Sequence, residues 1–129
     1  MREIAKEIPR YITVEFLRAN PNTIFVFGDN QLRMGKGGAA KLRDEPNTYG
    51  FITKKYPNNR DSSFYRPTEY SELFYAELLK LSKEIEKNHE RTYLISKLGA
   101  GLANKYKIYE VVIQNGLKKL ELFDNVVML

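Results

Sequence analysis

The sequence contains no cysteine and a single histidine, His89, and these absences exclude much of the common chemistry of enzyme sites. Without cysteine there is no disulfide, no thiolate nucleophile and no cysteine-ligated zinc, and one histidine cannot form a multi-histidine metal cluster. His89 lies in a strongly polar stretch, where a solvated surface position is the usual role, although a Ser-His mechanism is the alternative interpretation. We therefore expect neither a metal nor a cofactor.

Long apolar runs are absent as well. No segment approaches the roughly 20 apolar residues of a membrane span, and residues 1–30 do not join a basic end to an apolar run of signal-peptide length. We therefore expect a cytoplasmic protein without a membrane partner. The 129 residues, 43% of them hydrophobic, suffice for one core, so the sequence predicts a single domain over residues 1–129.

The chain carries a formal net charge of +5, from 21 basic and 16 acidic residues. This balance indicates an anionic partner. Because acidic residues are interspersed among the basic ones, a phosphate-bearing small molecule fits the pattern at least as well as a nucleic acid does.

Four short segments have the composition of β-strands. The clearest covers residues 23–28, whose unbroken apolar character predicts a central strand covered on both faces. Shorter runs of β-branched and aromatic residues at 48–53 and 92–96, and a last apolar run at 125–129, predict three further strands.

Helix patterns separate these strands. Apolar residues in steps of three and four predict an amphipathic helix over residues 69–87. A second stripe predicts a helix at about residues 105–120, and a glycine turn opens a short helix at 38–44. Residues 11–20 fit either a strand or a helix.

Strands that alternate with helices predict an α/β fold, here a single three-layer sandwich with a mixed, largely parallel sheet flanked by helices. Sheets of this kind bind ligands beyond the carboxyl ends of their strands. The loops that follow strands are therefore the candidate site.

A glycine-rich loop follows the central strand. Residues 28–40 read Gly-Asp-Asn-Gln-Leu-Arg-Met-Gly-Lys-Gly-Gly-Ala-Ala. Glycines let main-chain amides converge and a helix start adds free N–H groups, so this segment is either an anion site or an unliganded turn. Asp29 and Asn30 offer side chains for sugar hydroxyls, and Lys36 offers a charge for a phosphate.

A second glycine loop follows the strand predicted at residues 92–96. Residues 98–102 read Leu-Gly-Ala-Gly-Leu, two glycines around a small residue. Alone this motif is weak. Together, two amide-lined loops at neighbouring strand ends predict a clamp on a diphosphate.

Lys54 and Lys55 follow a further predicted strand. Most lysine pairs of this kind are surface charges. At the edge of a closed site, Lys54 would instead act as an electrostatic clamp or, with a lowered pKa, as a nucleophile on a sugar aldehyde carbon.

The order of these motifs resembles that of macro domains, most closely the ALC1-like group that includes the terminal ADP-ribose protein glycohydrolase. The segments concerned are residues 33–39, residues 52–55, the helix after Pro67 and residues 98–102. Small phage and bacterial macro-like proteins are similar too, because they carry Phe-Val-Phe-Gly-Asp-Asn followed by Gly-Gly-Ala-Ala and Glu-Pro-Asn. The likeness covers roughly residues 23–120 and lies in the order of the motifs.

This resemblance implies a macro-domain fold that binds ADP-ribose. The first glycine loop would lie near the distal ribose and the second around the phosphates. In the glycohydrolase, the lysine that matches Lys54 attacks the distal ribose to form a covalent intermediate, and an aspartate after the second glycine loop assists. The ligand-binding residues so implied are Asn30, Gly35, Lys36, Gly37, Gly38, Ala39, Gly99, Ala100, Gly101 and Leu102.

Two positions depart from the family pattern. The assisting aspartate is Ala103 here, which removes a proton-transfer partner worth about 10²- to 10⁴-fold in rate. Asp29 is the candidate substitute, so Lys54 and Asp29 form the predicted catalytic pair. Many macro domains also carry a Gly-Asp pair after the first strand, whose aspartate binds the adenine amino group. No such pair precedes residue 28 here, and Glu15 is the candidate replacement. A different nucleotide or a modified ADP-ribose therefore also fits.

Three functions remain as hypotheses. The first is hydrolysis of ADP-ribose from an ADP-ribosylated macromolecule, and the second is a module that senses or sequesters an ADP-ribose-like nucleotide without turnover. The third, ranked last, is a nucleic-acid-binding domain that stacks bases on Tyr56, Phe64, Tyr65 and Arg66. For the first two, residues 56–66 are predicted to form a lid.

Overall fold

The computed structural model describes residues 8–129 and contains one four-stranded sheet. Its spatial order is β2-β1-β3-β4, and every neighbouring pair is parallel. All four predicted strands are confirmed, and the segment at 23–28 is an interior strand as predicted. The described sheet is parallel rather than mixed. The strands are β1 (Thr23–Asn30), β2 (Thr48–Lys54), β3 (Thr92–Ile95) and β4 (Val126–Met128).

β1 is an interior strand, paired with β2 on one edge and β3 on the other, and its side chains are buried on both faces of the sheet. Alternate residues of a strand point to opposite faces. Accordingly, Ile24 and Val26 belong to one hydrophobic cluster, and Phe25 and Phe27 belong to a second cluster. Neither face of the sheet is left to solvent at β1.

Helical elements cover both faces and make the three layers. The cluster around Val26 includes apolar residues of α2 (Pro67–Lys87) and of the helical segment at 109–122. The cluster on the opposite face includes residues of α1 (Val14–Ala19) and of a 3-10 helix (Gly38–Leu42). No helix within residues 8–129 is both long enough and apolar enough to cross a membrane.

Two of the predicted helix boundaries were wrong. α2 begins at Pro67 instead of residue 69, since proline is well suited to the first helical position, and Glu69 Oε1 accepts the Arg66 N–H at 2.9 Å. The helix predicted from residue 105 begins at Tyr109, because Lys107 has a left-handed φ of +65°. It continues as π-helical Tyr109–Ile113, α3 (Gln114–Leu117) and 3-10 helical Lys118–Leu122.

Local hydrogen bonds decide the ambiguous segment at residues 11–20. Its second half forms α1, and the Thr13 hydroxyl caps the helix by accepting the Phe16 N–H at 3.1 Å.

The short helix predicted at 38–44 is a 3-10 helix of five residues. A helix of this length has little dipole, so any anion site beside it depends on individual N–H groups.

α2 is tied to the outer edge of β2. The Tyr70 hydroxyl donates to the Ile52 carbonyl at 2.5 Å, and the buried Glu77 carboxylate accepts the Ile52 N–H at 2.8 Å. These bonds satisfy an otherwise open strand edge. They also fix the backbone two residues before Lys54.

Candidate functional site

A cleft of about 560 Å³ opens where β1, β2 and β3 end. Both glycine loops line it, the first with residues 34–40 and the second with residues 98, 99 and 101–103. Lys54 reaches the same cleft from the end of β2. Of the predicted site residues, Ala100 alone is not part of the cleft lining.

The parallel sheet brings the two loops together, because strands that run in one direction end at one edge. The backbones approach closely here. A Cβ placed on Gly28 would lie 3.1 Å from Thr53 Oγ1 and 3.9 Å from the Gly99 nitrogen. The end of β1 therefore sits directly between the end of β2 and the second glycine loop.

Asp29 holds the first glycine loop in shape. Its side chain is 2% exposed, and Arg43 donates to both carboxylate oxygens, at 2.7 and 3.0 Å. The same guanidinium donates to the carbonyls of Gly35, at 2.7 Å, and Met34, at 3.1 Å. Because Arg43 engages both oxygens, the geometry favours a positioning role for Asp29, and its catalytic role stays a prediction.

Two more predicted ligand-binding side chains make contacts within the protein. The Asn30 amide donates to the Met34 carbonyl at 2.7 Å, and Asn30 Oδ1 accepts the Leu32 N–H at 3.0 Å. Lys36 is exposed and forms an ion pair with Asp44. Asn30 therefore shapes the loop, and Lys36 reaches an anion only by leaving its partner.

Main-chain donors are left for a ligand. The N–H groups of Gly37, Gly101 and Leu102 have no acceptor among residues 8–129. All three residues line the cleft and are exposed. Exposed N–H groups of this kind, contributed by two loops, form a surface suited to phosphate oxygens.

Three glycines of the cleft differ in whether the fold requires them. Gly99 is required by the fold, because its φ is +79° and an added Cβ would lie 2.4 Å from Ile113 Cδ1. Gly37 and Gly101 are not required by the fold, since an added Cβ would meet no atom within 4 Å and neither has a left-handed φ. What these two glycines keep open is the cleft itself.

Lys54 is the cation that faces the cleft from β2. Its Nζ donates to Asn59 Oδ1 at 3.2 Å and lies 5.0 Å from the centre of the Phe64 ring. No carboxylate within residues 8–129 forms an ion pair with it. Burial lowers the pKa of the Lys54 amine below its ordinary value.

The loop predicted as a lid borders the cleft. Pro57 and Asn59 contribute to the lining, and Asp61 forms an ion pair with Lys105, which lies beyond the second glycine loop. The Lys105 amine lowers the pKa of the Asp61 carboxyl, chiefly through their hydrogen bond. Residues 56–66 are thus linked to the segment after the second glycine loop by this exposed ion pair and by the Arg66 guanidinium, which lies 4.1 Å from the centre of the Tyr106 ring.

Several predicted contributors lie elsewhere. Glu15 is on α1 and is not part of the cleft lining. His89 is in an exposed turn between α2 and β3. Phe64 and Tyr65 are 6% and 5% exposed, so their rings are largely covered and poorly placed to stack on bases.

Sequence reasoning missed Arg43, the residue that organises the first loop. It stands 14 positions after Asp29 and lies within the segment predicted as a short helix. A lone arginine in a chain with 21 basic residues carries no distinguishing signal. Only the buried carboxylate beside it reveals its role.

The fold and the cleft define an α/β domain with a loop-lined cleft at the carboxyl edge of a parallel sheet. A family model matches residues 7–106, and the chain belongs to that family, described as "Family of unknown function (DUF7831)". The matched range includes both glycine loops, Lys54 and the loop at 56–66. No curated protein and no solved structure matches the chain.

Proposed function

We propose that the protein binds ADP-ribose or a closely related nucleotide in this cleft, with the two glycine loops arranged as in a macro domain. The observation that carries the proposal is that both glycine loops border one cleft, where Gly37, Gly101 and Leu102 present N–H groups without acceptors among residues 8–129. A diphosphate needs donors from more than one side and little side-chain obstruction. The cleft volume of about 560 Å³ also lies within the usual range for small-molecule sites.

The charges around the cleft support an anionic ligand. Asp29 is the one acidic residue among the described residues that line it, and Arg43 neutralises that carboxylate. Lys36, Lys54 and Lys97 also line the cleft. A diphosphate would therefore meet positive charge and free amide donors without a bare carboxylate nearby.

Calorimetric titration tests the proposal. We expect saturable, one-to-one binding of ADP-ribose and much weaker binding of AMP, since AMP lacks the second phosphate that the opposite loop would hold. Ribose 5-phosphate serves as the control for the distal sugar. Failure of ADP-ribose to bind at millimolar concentration would contradict the proposal.

Gly101→Ala is expected to weaken ADP-ribose binding by about tenfold, because a methyl group would stand where phosphate oxygens approach the loop amides. The stability of the fold should hardly change, since the added Cβ meets no protein atom within 4 Å. Calorimetry and urea denaturation measure the two effects. Ala100→Ser is the matched control, because it adds one atom to the same loop outside the cleft lining. Equal weakening by both variants would count against the amide site.

Lys54 favours a second candidate function, the hydrolytic release of ADP-ribose from an acceptor. A neutral amine is the nucleophilic form of lysine, and burial lowers the pKa of Lys54 so that more of it is neutral at a given pH. Its attack on the C1 carbon of the distal ribose would break the C1–acceptor bond, and the acceptor would leave with the bonding electron pair and take up a proton. Water would then hydrolyse the lysine–C1 bond, which releases ADP-ribose and restores the amine. Ala103 supplies no carboxylate to assist proton transfer.

Lys54→Ala is expected to abolish release of ADP-ribose from a mono-ADP-ribosylated protein while leaving ADP-ribose bound within a few-fold of its original affinity. In the unsubstituted protein the release rate should rise with pH and level off above the lowered pKa, because the neutral amine fraction increases in that direction. Lys55→Ala is the control, since Lys55 pairs with Glu69 instead of facing the cleft. Binding without any release would identify a non-catalytic module.

A further inference from the structure

A second cavity of about 530 Å³ adjoins the cleft. Lys36, Gly38, Ala39, Ser96 and Lys97 line both spaces, so these residues form a shared boundary. The boundary includes the start of the 3-10 helix, where the first glycine loop ends. A ligand whose diphosphate lies between the two loops can therefore continue into the second cavity.

The floor of the second cavity is apolar. It is formed by Ile12, Phe25 and Leu42, all of which are less than 10% exposed. Tyr11 stands at the rim with 71% of its surface exposed, and the Arg10 guanidinium lies 5.5 Å from the centre of its ring. Flat apolar surface beside an exposed ring suits a planar heteroaromatic group.

The rim of the second cavity carries positively charged side chains. Arg10, Lys41 and Lys97 line it, and none of them forms an ion pair with another residue in the range 8–129. No aspartate or glutamate is among the described residues of the lining. A neutral base and sugar would cover the floor and provide no anionic partner for Arg10 and Lys41, whereas Lys97 also borders the cleft that holds the diphosphate.

We propose that the second cavity receives the nucleoside end of the ligand and that Arg10, Lys41 and Lys97 bind an additional phosphate carried there. The chemical class is a nucleotide diphosphate with a phosphomonoester on its nucleoside ribose. This inference rests on the proposed function, since the diphosphate must occupy the cleft for its nucleoside to cross Gly38 and Ala39. Charge-assisted hydrogen bonds to the added phosphate would make this class of nucleotide bind more tightly than the unphosphorylated nucleotide.

Titration of the full chain with ADP-ribose and with ADP-ribose 2′-phosphate tests the inference. The added phosphate is expected to tighten binding by roughly tenfold or more, as one or two charge-assisted hydrogen bonds would do. Lys41→Met should remove most of this gain and leave the affinity for ADP-ribose within about twofold. Lys87→Met is the matched control, since it removes one lysine charge at the far end of α2 and should preserve the gain.

The remaining outcomes separate the two proposals. Binding of ADP-ribose with no gain from the 2′-phosphate would overturn the second site and leave the proposed function standing. Failure of both ligands to bind would overturn both proposals. If Lys41→Met weakened both ligands equally, Lys41 would serve the diphosphate, and the second site would be wrong. A single-stranded oligonucleotide that binds as tightly as ADP-ribose 2′-phosphate, with a steep salt dependence, would assign the cations to a polynucleotide instead.

Discussion

Replacing Asp29 with asparagine is expected to destabilise the protein by about 3 kcal/mol, since breaking a buried ion pair leaves one charge without its partner. The side chain of Arg43 is 14% exposed and would face a neutral amide in place of a carboxylate. The guanidinium also holds the carbonyls of Met34 and Gly35, so the first glycine loop should lose its shape. Urea denaturation followed by circular dichroism measures the loss.

Asp44→Asn is the matched control for this experiment. It makes the same chemical change in an ion pair whose side chains, Asp44 and Lys36, are 68% and 60% exposed. Exposed pairs contribute about 0–1 kcal/mol, so the control should stay close to the unsubstituted protein. Similar losses in the two variants would show that the buried pair does not organise the loop.

Gly99→Ala is expected to cost roughly 2–4 kcal/mol through two separate effects. The residue has a φ of +79°, which disfavours any side chain. The new Cβ would also lie 2.4 Å from Cδ1 of Ile113. Because Ile113 is fully buried, its side chain cannot easily move away. Equilibrium unfolding in urea measures the total change in the free energy of unfolding.

A double-mutant cycle separates the two effects at Gly99. Ile113→Val removes the Cδ1 atom that the new methyl group would strike. In that background Gly99→Ala should cost less, and the remainder would be the backbone penalty of about 1–2 kcal/mol. Strict additivity of the two substitutions would contradict the steric part of the argument.

Much of the fold was predictable because its signals are local. Residues 23–28 form an unbroken apolar run, and burial on both faces is what such a run reflects. The apolar stripe of α2 repeats in steps that match one helix face. Helix boundaries were predicted wrongly where the conformation of a single residue sets them. The left-handed φ of Lys107, for example, makes the last helical segment begin later in the chain than predicted.

The candidate site was predictable only in outline. Glycine loops after neighbouring parallel strands must meet at one sheet edge, so their shared cleft followed from the order of elements. The roles of the polar side chains did not follow. Asp29 and Asn30 read as groups that would face a sugar, whereas the structure uses both of them to hold the first loop.

The sequence by itself determined the alternation of strands and helices and the positions of the two glycine loops, because apolar periodicity and glycine are properties of neighbouring residues. The tertiary structure alone decided which charges are paired and which face the cleft. Asp29 pairs with Arg43 and Lys36 pairs with Asp44, whereas Lys54 forms no ion pair with a carboxylate in residues 8–129. Such pairings depend on distances across the folded chain, and no local pattern encodes them.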